Sequence, residues 1–530
     1  MNLSGTLFIG AAELGATQGT MRAFNPDTGQ ELEPSFALGG PAEVDRAARL
    51  AEEAFDSFSG AAPARRAAFL ESIALNLQEV RGELALRTSL ETGLPSASLE
   101  LEVDKTATQL RQFAQVVRSG YFLEASIDEE QPHRQPRPRM DHRMQKVALG
   151  PVAIFGASNF PILYSVAGGD TASALAAGCP VILKAHNAHP GASEIQARVI
   201  RDAVQASGLH EGVFSLVRGA GNEIGEALVC HPLVKAVTFT GSQGGGMALY
   251  RAAQARDEPI PVFAEMTSVN PTFLLPGAVA ARGSRIGDGF IERMLVNVGQ
   301  ACLKPAIAVV VEGPGLADLR SAMVARIVEA EARTMLTPAI FNAYLAGLRR
   351  LEAHGARPIA WGKAATGART GQAALFEVDG ATFLAQAPLS EEVFGPAGLL
   401  VVVPSAEDVI GVARSFRGQL TATIHMEDED LPCATDLVPV LQRRTGRIVV
   451  NAFSHPQEVS NASIHTGPFP ATTDSRFTSV GMTAIHRFLR PVCYQGFPDE
   501  LLPETLKRRN PLGLARLVDG ELPGVQPSLL

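Results

Sequence analysis

An α/β fold built on doubly wound parallel sheet is the class this sequence predicts, and three observations predict it. Between residues 148 and 266 the apolar runs PVAIFG, PVILKAH, VFSLVRG, KAVTFTG and PIPVFAEM alternate with helical stretches such as GASEIQARVIRDAVQASG and GGGMALYRAAQAR. Strands joined through helices of that length imply a parallel sheet with crossover connections. A second α/β region runs from about 270 to 450 and holds the strand-like runs AIAVVVEG and GLLVVVPS. The chain has 530 residues, 46% hydrophobic and 19% charged, enough apolar surface for a large core. At roughly 100–200 residues per domain, two or three domains are expected.

Taken in order, residues 43–118 are Ala/Leu/Glu-rich with apolar positions at three- and four-residue spacing, which predicts helices. Residues 126–142, SIDEEQPHRQPRPRMDH, are polar and hold three prolines, so an extended flap or linker is expected. The strand–helix alternation of 148–266 follows, and ligands on such sheets bind at the carboxyl ends of the strands. The tail from 451 is loop-rich, and no internal repeat is visible.

Composition excludes several classes. A formal charge of −9 argues against a general nucleic-acid binder. The five cysteines, Cys179, Cys230, Cys302, Cys433 and Cys493, are scattered with no CxxC pair, which argues against a disulfide framework or a zinc site and for a reducing compartment. The opening residues lack the basic region and long apolar core of a signal peptide, and no apolar run is long enough to span a bilayer, so a cytoplasmic protein without membrane partners is expected.

The strand ends carry the candidate chemistry. No GxGxxG follows the first strand; GASNFP (156–161), Lys184 and TGSQGGG (240–246) stand at the turns instead. Gly241 and Ser242 open a helix whose free N–H groups can face a pyrophosphate, or the glycines merely turn the chain. Cys302, in NVGQACLKP (297–305), sits at a chain reversal with Lys304 as a nearby cation. It is either a nucleophile with a lowered pKa or an inert buried thiol. Glu265, at the end of an apolar strand, is a general base with a raised pKa or a strand-end carboxylate bonded to backbone. Glu392 binds a ribose or caps a turn. His186 and His189 show metal spacing, but no further ligand completes a set and no metal is expected.

Taken together, SNFP with Asn159, Lys184, FTGS at 239–242, Glu265, GQxC with Cys302, and EEVFGP with Glu392 and Phe394 resemble the aldehyde dehydrogenase superfamily in order and spacing. A narrower similarity, in KAHNAHPG, SVNPTF and GPFPATTDSRFTSVG, is to the 2-oxoglutarate semialdehyde (2,5-dioxopentanoate) dehydrogenases, with NADP-dependent fatty aldehyde dehydrogenases as the alternative. The resemblance implies a Rossmann-type cofactor domain (1–124 and 148–266), an α/β catalytic domain (267–450), substrate-side loops (451–483) and an oligomerisation flap (125–147 with 484–530). It implies that Cys302 attacks an aldehyde, that the Asn159 amide and the Cys302 N–H hold the oxyanion, and that Glu265 activates water against the thioester. Lys184, His186, Asn187, Gly241, Ser242, Glu392 and Phe394 are the implied cofactor residues. In NAD-preferring relatives a glutamate often stands three residues after the lysine; Asn187 here is neutral, so NADP is expected, with NAD as a second cofactor. Phe160, Arg293, Ser475 and Arg476 are the candidates for substrate contact, with Ser479 beside them. A homodimer or homotetramer is implied.

Several positions depart from the pattern. Ala301, Leu303 and Lys304 replace the usual residues beside the thiol, Met266 and Thr267 crowd a place that often holds small ones, and Gly168 stands where many relatives carry a lysine. A non-catalytic binding protein on the same fold is the rival from another class; transfer of the acyl group to coenzyme A is a further alternative, and Glu265 argues for hydrolysis instead.

Overall fold

A computed structural model describes residues 3–365, 367 and 369–522. All five predicted parallel strands form. Their spatial order is Val262–Glu265, Ala236–Thr240, Val152–Phe155, Val181–Lys184, Phe214–Val217. The chain starts in the middle of the sheet, builds outward, then returns to the other side. That reversal leaves a crevice between the carboxyl ends of the 152–155 and 236–240 strands, where an open α/β sheet binds ligands. Two short N-terminal strands, Leu7–Ile9 and Ala12–Leu14, add antiparallel to the far edge. At three residues each they are too short for periodicity to reveal.

Residues 43–118 resolve into four helices, Pro41–Ser59, Pro63–Glu79, Arg81–Thr92 and Ser96–Ser119. Prolines open the first two, where the missing N–H costs nothing, and left-handed Gly93 and Gly120 end the last two. Their apolar faces bury Phe58, Phe69, Phe113 and Leu110 against the sheet.

The second sheet orders its strands Arg357–Trp361, Ala374–Asp379, Ala397–Val403, Ile307–Val311, Thr272–Leu274, Gln419–His425, Thr445–Val450. Only the first is antiparallel. The polar 126–142 segment is extended and contributes Ser126–Asp128 to a four-stranded sheet with His142–Ala148, Leu489–Gln495 and Leu517–Val518. Of the 484–530 segment, residues 523–530 lie outside the described residues. Among the described residues no helix is long and apolar enough to cross a membrane.

Two local devices position the site. Residues 471–473 run against the last parallel strand: Met266 N–H donates to Ala471 O at 2.8 Å and Thr473 N–H to Ala264 O at 3.0 Å. This brings the loop-rich tail onto Glu265. Before Cys302, the Pro276–Met294 helix gives way to a turn in which Asn297, Val298 and Gly299 all have positive φ, 50°, 59° and 67°. A β-branched residue rarely adopts that conformation, and it costs on the order of 1–3 kcal/mol. At Gly299 a Cβ would lie 2.1 Å from Gly395 O, so only glycine fits.

Candidate active site

Cys302 stands at the turn predicted for it. Asn270 Nδ2 donates to the carbonyls of Cys302 (2.7 Å) and Lys304 (2.9 Å), and Ser454 Oγ donates to Leu303 O (2.6 Å). Three successive carbonyls are thus tied away from the thiol. Neither Asn270 nor Ser454 stands out in sequence reading, because a single polar residue between strands carries no periodic signal.

The thiol meets a histidine that sequence reading missed. His465 Nε2 lies 3.5 Å from Cys302 Sγ and 3.0 Å from Glu265 Oε1. Ser479 Oγ donates to Glu265 Oε2 at 3.1 Å. On the other side of the ring, His465 Nδ1 is 3.0 Å from Gln457 Oε1, while Gln457 Nε2 donates to Ile464 O at 2.9 Å. That second bond fixes the amide with its oxygen toward the ring, so Nδ1 carries a proton and Nε2 faces the thiol and the carboxylate. Tyr164 stacks on the imidazole with rings 7° from parallel. Histidine 163 residues from a cysteine has no spacing signature; only the tail's return to the strand end joins them.

Electrostatics correct two expectations. The Cys302 thiol is not lowered: burial and the Glu265 carboxylate push it well up. The expected cation is turned away, because Lys304 Nζ donates to the carbonyls of Val393 (2.5 Å), Gly395 (2.8 Å) and Ala397 (3.3 Å). Nor is Glu265 raised. Burial drives it up, but His465 and the donors from Ser479 and Cys302 outweigh burial and hold it below the usual range. The site therefore rests as a thiol beside an ionised carboxylate, with an imidazole between them to move the proton.

Asn159, 7% exposed, spends one amide N–H on Gln300 O at 3.1 Å and keeps the other. Phe160, Leu163, Tyr164, Leu303 and Cys302 line a cavity of about 170 Å³. Ala301 packs behind Phe160 and Leu163. Toward the opening the lining turns polar, with Ser98, Lys105, His455 and Gln457. Burial, then Lys105, Arg293 and Arg447 depress His455 to about 4, so three cations act on this rim. Arg293 does not line the cavity; it pairs with Glu292 at 3.3 Å beside the rim. Ser475 and Arg476 line a separate cavity with Lys146 and His486, and Arg476 is exposed and paired with Asp474 at 2.6 Å. The structure thus leaves Ser475 and Arg476 out of the Cys302 cavity, while Ser479 serves Glu265.

The other departures have physical accounts. Met266 packs toward the Gln243–Gln254 helix, 2.8 Å from where a Gly246 Cβ would stand. Thr267 Oγ1 donates to Glu392 Oε2 at 2.9 Å. A side chain on Gly168 would strike Leu163 O at 2.3 Å, so nothing larger fits there.

At the sheet crevice, two helix N-termini compete as anion sites. That of Pro190–Ala206 is filled by the protein itself, since Glu91 accepts from the Gly191 and Ala192 N–H groups at 2.8 and 2.9 Å. Among the described residues, that of Gln243–Gln254 carries only its Ser242 cap, and a Cβ on Gly241 or Gly245 would meet the Phe239 ring at 2.6 or 3.0 Å. Lys184, at the next strand end, has no hydrogen-bond partner among the described residues, and burial and Arg218 lower its pKa. Asn187 Nδ2 donates to Gly219 O at 3.1 Å, leaving Oδ1 buried and unpaired. His186 Nδ1 accepts from Ala188 N–H at 3.1 Å, and burial, His189 and Lys184 keep the ring uncharged. His186 therefore offers an uncharged Nε2–H donor. His189 braces the 156–159 turn by donating to Ala157 O at 2.9 Å. An exposed glycine-lined helix terminus, a free ammonium and an orphaned amide oxygen fit a dinucleotide.

The pattern that defines the aldehyde dehydrogenase family matches residues 14–464. The chain is 50% identical over 523 residues to alpha-ketoglutaric semialdehyde dehydrogenase 2 of Azospirillum brasilense, covering 98% of this chain and 100% of that protein. It is 41% identical over 521 residues to the alpha-ketoglutaric semialdehyde dehydrogenase of Acinetobacter baylyi, covering 98% and 99%. In fold it is similar to betaine aldehyde dehydrogenase of Staphylococcus aureus, solved in complex with NAD+, at a TM-score of 0.80 and 20% identity over 95% of this chain and 99% of that one.

Proposed function

The chain belongs to the aldehyde dehydrogenase family, and from that premise we propose that it oxidises 2-oxoglutarate semialdehyde to 2-oxoglutarate with NADP, accepting NAD as a second cofactor. The observation that carries this reading is the Cys302–His465–Glu265 constellation, with a half-buried thiol and buried partners, opening on a small cavity with a cationic rim. The product's parent aldehyde is short and ends in a carboxylate; Lys105, with Arg293 and Arg447 nearby, supplies the charge to hold it. The relatives from Azospirillum brasilense and Acinetobacter baylyi bear the same substrate in their names.

His465 Nε2 takes the thiol proton, and Glu265 pairs with the imidazolium that results. The thiolate adds to the aldehyde carbon, giving a thiohemiacetal on Cys302. The remaining Asn159 N–H and the Cys302 backbone N–H stabilise its oxyanion. Lys184, Asn187, Gly241, Ser242, Glu392 and Phe394 would hold the cofactor, which would supply a hydride acceptor for the carbon bound to Cys302. A thioester is left on Cys302. Glu265, ionised in the resting site, takes a proton from the attacking water, and His465 returns its proton to sulfur as the acid departs.

We assign cofactor binding to 1–124 and 148–266, catalysis to 267–450, substrate access to 451–483, and assembly into a homodimer or homotetramer to 125–147 with 484–530. The five cysteines are free thiols, which supports work in a reducing, cytoplasmic compartment.

Initial rates with 2-oxoglutarate semialdehyde and with octanal, each with NADP and NAD, test the reading. The semialdehyde is expected to dominate and Cys302→Ala to abolish turnover. Lys105→Met is expected to raise KM for the semialdehyde about tenfold, the worth of one exposed ion pair or slightly more, while sparing octanal. Equal rates with both aldehydes, or a Lys105→Met effect common to both, would sink the substrate assignment.

A further inference from the structure

The residues that do the chemistry also have the composition of a metal site. Thiolate, imidazole and carboxylate are the donors of zinc centres, and the ligand atoms of Cys302, His465 and Glu265 all lie within 4.8 Å of one another. Tetrahedral zinc with Zn–S of about 2.3 Å and Zn–N of about 2.05 Å puts sulfur and nitrogen about 3.5 Å apart. Cys302 Sγ and His465 Nε2 are 3.5 Å apart. His465 Nε2 and Glu265 Oε1, at 3.0 Å, are a few tenths closer than such a centre needs, a gap that carboxylate rotation closes.

Two further features complete the match. The His465 ring is held from behind by Gln457, which places the proton on Nδ1 and leaves Nε2 as the donor atom. Metal-ligating histidines are oriented in this way. Cys302 also lines the 170 Å³ cavity, so a fourth position stays open to water. With the thiol protonated, one proton serves three groups that can all accept it. A divalent cation satisfies all three at once.

We propose that Cys302, His465 and Glu265 form an inhibitory site for a zinc-class divalent cation, which displaces the thiol proton and occupies the nucleophile, the proton carrier and the base together. The shut-off rests on the catalytic reading above; the metal site itself does not. The cation leaves no free thiolate to attack an aldehyde, and an aldehyde already bound to Cys302 excludes the cation.

The test uses the full chain carrying Cys230→Ser and Cys493→Ser, which removes the two exposed thiols. Cobalt(II) is titrated first, then displaced by zinc. One cobalt per chain is expected, with an intense near-ultraviolet thiolate-to-cobalt band and the strong visible bands of tetrahedral coordination. Cys302→Ser removes the near-ultraviolet band. His465→Gln weakens binding at least about 100-fold, and Gln457→Leu, which frees the ring without removing a ligand, weakens it about 10–100-fold. Unchanged melting curves certify that the variants are folded. Aldehyde oxidation falls in step with occupancy and returns with chelator. A thiolate band that survives Cys302→Ser or His465→Gln, or cobalt bound without that band, overturns the site. If the metal binds as stated but no aldehyde is oxidised in its absence, the catalytic reading fails while the site stands.

Discussion

At the scale of single residues, the resting thiol and its partners set a measurable acid–base pattern. Burial first, then the Glu265 charge, raises the Cys302 pKa. Glu265→Gln removes the charge and leaves the burial, so the thiol must ionise at lower pH. The rate of Cys302 alkylation by iodoacetamide, followed against pH, is expected to rise at lower pH in Glu265→Gln than in the parent protein. A midpoint moved upward would mean that Glu265 acts on the thiol chiefly as a proton acceptor. The proposed preference for NADP rests on one position as well. Asn187 lies three residues past Lys184 and keeps its own charge neutral. Asn187→Glu places a carboxylate where a 2′-phosphate would lie, and like charges at close range cost about 1–2 kcal/mol at a surface. The ratio of kcat/KM for NADP over NAD is expected to fall at least about tenfold. An unchanged ratio would locate the 2′ position elsewhere.

At the scale of elements, the Ser96–Ser119 helix supports the turn that bears Asn159 and Phe160. Its Glu102 accepts from the Ile162 and Leu163 N–H groups at 3.4 Å, contacts too long to offset burial, and burial lifts the carboxyl to about 7 from an ordinary 4.5. A raised carboxyl favours the folded state only while protonated. Its contribution is intact below pH 4.5 and is lost as pH climbs through about 7. Glu102→Gln should match the parent at pH 4.5 and gain up to about 3 kcal/mol by pH 8, read as a higher unfolding midpoint. An equal gain at both pH values would trace the effect to packing. The same elements show what was legible in the sequence. The five parallel strands and their helices were, because each is a buried apolar run followed by a helix-length stretch. Glu265 and Asn159 were singled out at the ends of apolar runs and Cys302 at its chain reversal, while their roles came only through the family resemblance. His465 and Gln457 were not: the tail that carries them has no period, and it reaches Glu265 only through the backbone bonds of 471–473 to the 264–266 segment. The sense of the two pKa shifts was hidden for the same reason: Glu265 is held low by His465 and Ser479 of that tail, and Cys302 is raised by its burial beside Glu265.

At the scale of the whole molecule, two sheets end in open edges. Leu489–Gln495 borders the four-stranded sheet and is matched over seven positions to His142–Ala148 on one side, while among the described residues nothing pairs with its other side. Thr445–Val450 likewise borders the second sheet, with Val450 half exposed. Long open edges are templates for another strand, and folded proteins blunt or cover them. The cover we expect is a second copy of the chain. Pro491 tells which donors face outward. It has no N–H, yet it sits within the ladder opposite Lys146, so its nitrogen must point away from that strand. By the two-residue period of a strand, the N–H groups of Leu489, Cys493 and Gln495 point the same way. Cys493→Pro then removes an outward donor and leaves the inner ladder whole. Sedimentation velocity is expected to show an oligomer for the parent and smaller species for Cys493→Pro, with the melting of the individual chain little changed. An oligomer untouched by this substitution would mean that assembly uses another surface, and a monomeric parent would mean that the edge is left open.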